Sequence, residues 1–101
     1  MKPHLSLRMT GKQHALLRGH LFPGDGNEAV ALALCGTLDE RALTVHKLYA
    51  VPYEQCIVRS PDRVTWRTDV LPSILAEAES RNLSLLKIHS HPLILTDVMF
   101  H

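Results

Sequence analysis

His89 and His91 close an apolar stretch, "LSLLKIHSHP", with Ser90 between them and Pro92 behind. On a β-strand successive side chains alternate between faces, so the two imidazoles project from one side and Ser90 from the other. Paired imidazoles suit zinc, whose hydrolytic sites combine three protein ligands with one open position for water. The plainer reading is two polar residues at a strand end. With seven histidines in 101 residues, chance alone supplies about half an H-x-H pair per chain. Position favours function, because the pair sits where an apolar strand meets an exposed turn, and such ends commonly display reactive groups. Glu28 is the second residue of interest, a carboxylate at the threshold of the apolar run "EAVALALCG". Beside a zinc-activated water it would serve as the base; on its own it is equally a solvated strand start.

The elements that must position these groups are legible in outline. "MTGKQHALLRGHLFP" predicts a helix capped by Thr10, with Leu16 and Leu17 as its apolar edge and Pro23 as its stop. "PGDGNE" predicts a turn in which Gly24 and Gly26 adopt positive φ. From Glu28 to Cys35 the chain is almost wholly apolar, too short for a typical helix, and closed by Gly36, which predicts a buried strand. "ALTVHKLYAVP" predicts a second strand ending at Pro52, joined to the first through "TLDER" as a hairpin. "VTWR" suggests a short further strand. A helix is expected from Thr68 or Asp69 to about Asn82, with Pro72 in its first turn. Leu71, Ile74, Leu75 and Ala78 form its apolar side, and Glu77 and Arg81 an i,i+4 pair. "LSLLKIHSH" is the last strand, which makes the fold class α/β or α+β, a mixed sheet flanked by helices.

Bulk properties bound the function. One domain is expected at this length. Charge is nearly balanced at +1, and no run of Lys or Arg marks a nucleic-acid stripe, so no nucleic-acid partner is expected. No apolar stretch approaches the roughly 20 residues of a membrane span, and no signal-peptide core opens the chain. A soluble, cytoplasmic protein is expected, with Cys35 and Cys56 as thiols rather than a disulfide. His14 and His20 are expected on the exposed side of the first helix, His46 on the wetter face of the sheet, and Trp66 as a core or interface anchor.

"HLFPGDGNEAVALALCG", followed by "LSLLKIHSHP" with His89 sixty-one positions after Glu28, resembles the JAB/MPN (Mov34/PAD-1, JAMM) domain of the bacterial type. The resemblance runs from about His20 through Pro92. It implies a cytidine-deaminase-like fold and a zinc-dependent metallopeptidase or isopeptidase acting at the carboxyl end of ubiquitin-like proteins, in the company of E1-like and E2-like proteins. It further implies Glu28 as catalytic acid/base and His89 and His91 as zinc ligands. The family pattern continues with a serine and an aspartate; here the serine position falls on Met99 and the aspartate position one past His101. Residues 1–92 therefore form the JAB-like domain and 93–101 a divergent tail. Asp97 and His101 are the candidates for a third ligand, and the apolar tail is a candidate surface for a homodimer. Impaired turnover is expected, and the alternative is a catalytically inactive remnant serving as an interaction domain. A zinc deaminase, the third possibility, lacks its H-x-E and P-C-x-x-C elements here.

Overall fold

The computed structural model describes residues 6–90 and, as backbone, Asp97–Phe100. In chain order the elements are β1 (Ser6–Arg8), α1 (Gly11–Leu21), β2 (Val30–Asp39), β3 (Ala42–Ala50), β4 (Cys56–Ser60), β5 (Arg63–Trp66), α2 (Leu71–Ser80), β6 (Ser84–His89) and β7 (Asp97–Phe100). Five strands form one sheet in the order β1-β3-β2-β6-β7, and β4 and β5 pair separately as a hairpin. Among the described residues only β1 and β3 run parallel; the other pairs are antiparallel. The class is mixed α+β.

β2 is the spine. Its alternation sends Ala31, Ala33 and Cys35 to one face and Val30, Leu32 and Leu34 to the other, and all six are buried. The alanine face receives α1, whose Leu17 and Leu21 pack with Leu86 and Ile88 of β6. Small side chains there give the helix room to approach the sheet. The branched face packs with Ala78 of α2, Leu85 of β6 and Val51.

The start of α1 follows the sequence, whereas α2 begins at Leu71 behind Val70, which makes no side-chain capping bond, later than the expected Thr68 or Asp69. The Thr10 hydroxyl accepts from the Gln13 N–H at 3.0 Å and the Gln13 side chain accepts from the Thr10 N–H at 3.0 Å, a reciprocal capping box. Asn82 stops α2 in the left-handed region at φ 53°, where the Leu83 N–H donates to the Ala78 carbonyl at 2.8 Å, closing the helix end. Pro72 lies in the first turn, and Arg81 pairs with Glu77 at 2.9 Å.

Several expectations need correcting. Gly36 does not end the strand; β2 runs on to Asp39, and Gly36 pairs with Thr44 while the His46 ring lies over its open face. Glu28 lies two residues ahead of β2, so the strand begins later than its apolar run. Leu16 and Leu75, both assigned to apolar faces, are 53% and 45% exposed. Their helices touch the sheet along narrower stripes, centred on Leu17 and Leu21 in one and Ala78 in the other. The separate hairpin was only half anticipated: β5 was expected, β4 was not.

Leu86 is fully buried at the α1 face, so Leu86→Ala should lower unfolding free energy by about 2–5 kcal/mol. Leu75→Ala should cost less than about 1 kcal/mol. Urea denaturation of the two variants checks both values.

Candidate functional site

The site forms where the start of β2 meets the end of β6. Register pairs Val30 with His89 and continues to Cys35 with Ser84. Two further hydrogen bonds close the corner beyond the ladder. The Ser90 N–H donates to the Ala29 carbonyl at 3.1 Å, and the Ala29 N–H donates to the Ser90 hydroxyl oxygen at 3.0 Å. Ser90 thus turns to the opposite face from His89, as strand alternation requires, and is fully buried. His89 is left on the α2 side of the sheet, where its Nδ1 lies 3.8 Å from Glu28 Oε1. Glu28 is 3% exposed, so the solvated strand start considered from sequence is not what the fold makes of it.

Glu28 is held through its backbone by the hairpin. Its N–H donates to the Ser60 carbonyl at 2.8 Å, and its carbonyl accepts from Arg59 Nε at 2.9 Å. The same guanidinium pairs with both oxygens of Asp25, at 2.9 and 3.3 Å, and lies 4.1 Å over the Tyr53 ring. Such charge-assisted and cation–π contacts strengthen one another when partly desolvated; the Arg59 side chain is 14% exposed. Tyr53 in turn stacks on His20 with ring centroids 4.9 Å apart and donates its hydroxyl proton to the His20 carbonyl at 2.6 Å. His20 Nε2 lies 2.9 Å from the Val30 carbonyl, and the ring nitrogen donates there. The glycine turn, with Gly24 at φ 96° and Gly26 at φ 73°, is therefore fastened from both ends.

These contacts shift several titrations. Burial, the largest influence, lowers the His20 pKa, and Arg59 adds to it against the Val30 hydrogen bond. The Asn27 N–H and then Arg59 hold the Asp25 carboxyl below its ordinary range. Burial pushes the Cys35 thiol up to about 11, consistent with a structural thiol. Cys35 and Cys56 are both free.

A cleft of about 260 Å³ opens beside Glu28 and His89, walled by Trp66, Arg63, Asp62 and Lys87. Of the residues singled out in the sequence, Glu28 and His89 are brought together. His91 and His101 lie outside the described residues. Asp97 stands directly across from His89 in the β6–β7 register. Among the described residues no group of three His, Cys, Asp or Glu gathers to hold a metal. His20, expected on an exposed helix face, is instead half-buried under Tyr53, whereas His14 and His46 are exposed.

The sequence reading missed Arg59, Arg63 and Lys87. Lys87 carried a signal, since it precedes His89 by two residues on the same strand face. The hairpin carried another in "SPDR", a proline–aspartate turn. Nothing in the sequence marked Arg59. No helix is long and apolar enough to cross a membrane among the described residues. No protein-family model matches the sequence, and no curated protein matches it.

Two outcomes follow. Ser90→Ala leaves the buried Ala29 N–H without its acceptor and should cost about 1–3 kcal/mol, readable by urea denaturation. His20 has a folded pKa below its unfolded value, so between those two values the unfolded chain binds the extra proton. Stability should therefore be fully present above about pH 6.5 and fall on acidification below it. Denaturation midpoints at pH 7.5 and 5.5 should differ less in His20→Gln.

Proposed function

We propose that this chain is a zinc-dependent hydrolase of the JAB/MPN type, built on a cytidine-deaminase-like sheet and acting on peptide or isopeptide bonds at the carboxyl end of ubiquitin-like proteins. The observation that carries the reading is the 3.8 Å approach of His89 Nδ1 to Glu28 Oε1 at the mouth of a cleft. Those two residues come from the two distant segments on which the family resemblance rests.

The residues fit zinc in part. His89 supplies an imidazole at the cleft, His91 follows it in the sequence as the expected second ligand, and Asp97 occupies the register position across from His89. When bound, zinc supplies Lewis acidity and renders water acidic enough to ionise near neutral pH. Glu28 takes the proton of the attacking water on its carboxylate and hands it to the departing amine. The corner formed by Ala29 and Ser90 keeps that carboxylate from drifting, and its 3% exposure limits competing solvent. With Met99 where the family has its serine, one oxyanion donor is missing. Such a donor is typically worth about 2.7–4 kcal/mol of barrier, so turnover is slow.

The second reading is a non-enzymatic relative of the same fold that binds partners. It is favoured by Met99, which stands where the JAB/MPN pattern has its serine. Metal analysis of the purified chain separates the two. One zinc per chain, lost in His89→Ala and retained in Glu28→Gln, is the expected result. With a ubiquitin-like fusion as substrate, Glu28→Gln should abolish cleavage; cleavage that survives it removes Glu28 from the mechanism. A folded chain that takes up no zinc overturns the hydrolase reading.

A further inference from the structure

We propose that the cleft recognises a carboxylate next to the bond it cuts, read by Lys87 and Arg63 as specificity-determining residues. This rests on the proposed hydrolytic reading for the identity of the bond, and on the cleft's own charges for the rest.

Lys87 precedes His89 by two residues on β6 and faces the same cleft. Two strand residues span about 7 Å, close to the advance of an extended peptide over the same count. An ammonium there is therefore placed one or two residues beyond a bond held at His89. Arg63 reaches the cleft from the hairpin. It pairs in register with Ser60, the residue whose carbonyl receives the Glu28 N–H, so the arginine and the proposed base are mounted on one support.

The other charged groups of the cleft are Glu28 and Asp62. Asp62 is engaged within its own turn, accepting from the Ser60 hydroxyl at 2.9 Å. Neither Lys87 nor Arg63 forms an ion pair among the described residues, unlike Lys47, Arg59, Arg67 and Arg81, which all do. Two cations thus flank the reactive corner without an acid assigned to them. A carboxylate is the complement this geometry lacks. It is available on a peptide either as the free chain terminus or as an aspartate side chain.

Trp66 is the sole tryptophan and walls the same cleft, so its fluorescence reports occupancy without turnover or added metal. The full chain is titrated at low ionic strength with acetyl-Ala-Ala-Ala, with the carboxamide of that peptide, and with the carboxamide of acetyl-Ala-Asp-Ala. The blocking acetyl group leaves each peptide with at most one charge. The expected result is about fivefold tighter binding of a carboxylate peptide over the uncharged one, weakening as salt is added. The tighter of the two carboxylate peptides names the source of the charge. The preference should vanish in the Lys87→Gln, Arg63→Gln double variant, checked for folding by circular dichroism, and persist in Glu28→Gln. Equal binding of all three peptides, no binding up to their solubility, or a preference unchanged in the double variant overturns the proposal. A carboxylate preference in a chain that cuts nothing would leave the recognition by Lys87 and Arg63 standing and remove the hydrolase reading together with the cut bond. Cleavage without the preference would do the reverse.

Discussion

The buried exchange between Ala29 and Ser90 decides where everything else in the site can be. The ladder between β2 and β6 could slip in principle, but a slip of one residue would carry every side chain to the opposite face. Here that would exchange Val30, Leu32 and Leu34 with the alanine row and drive branched side chains against α1. The pair of hydrogen bonds at 3.0 and 3.1 Å pins the register at the end of the described ladder. The encounter of Glu28 with His89 is therefore a consequence of core packing, not a separate device.

The hairpin adds a second constraint of a different kind. A carboxylate at 3% exposure pays heavily for misplacement, because desolvation penalises its charge unless the surroundings are fixed. Both backbone polar groups of Glu28 are tied to β4, and Arg59 extends the tie through Asp25, Tyr53 and His20 to the end of α1. The hairpin, the glycine turn and the helix terminus consequently act as one frame around the carboxylate. Its opposite edge presents Arg63, so the frame that holds the proposed base also brings a cation to the cleft.

The sequence exposed the three inner strands of the main sheet, β2, β3 and β6, and both helices, because their signals are local: a capping box, a proline in a first turn, apolar runs of strand length; the edge strands β1 and β7 it did not expose. It exposed Glu28 and His89 through residue type and position, and left their distance to the fold. It misjudged places where tertiary packing overrides a local rule. Glycine closes many strands, yet Gly36 sits inside β2 because the exposed His46 ring fills the space above it. Leucine suggests a buried face, yet Leu16 and Leu75 lie beside the contact stripes and not on them. β4 stayed hidden because "CIVRS" is short and turns polar at Arg59 and Ser60, and only pairing with β5 makes it a strand. Arg59 had no signature at all, since four of its contacts depend on a hairpin that the sequence did not reveal.

The same distinction bears on how a third metal ligand could arise. At the level of sequence, Asp97 and His101 were candidates only if the tail folded back across a gap. The backbone instead carries Asp97–Phe100 as a strand beside β6, with Asp97 across from His89 and Met99 across from Lys87. Directly opposed residues of an antiparallel pair stand level with one another across the ladder, so register alone brings the backbone at position 97 beside His89, with no improvised loop. Position 99, where the pattern that the sequence resembles has its serine, falls across from Lys87 instead. On the proposed JAB/MPN reading, an oxyanion donor is missing at a position that stands across from a cation. On that same reading, selectivity is left to charge and the chemistry to the pair that the core itself brings together.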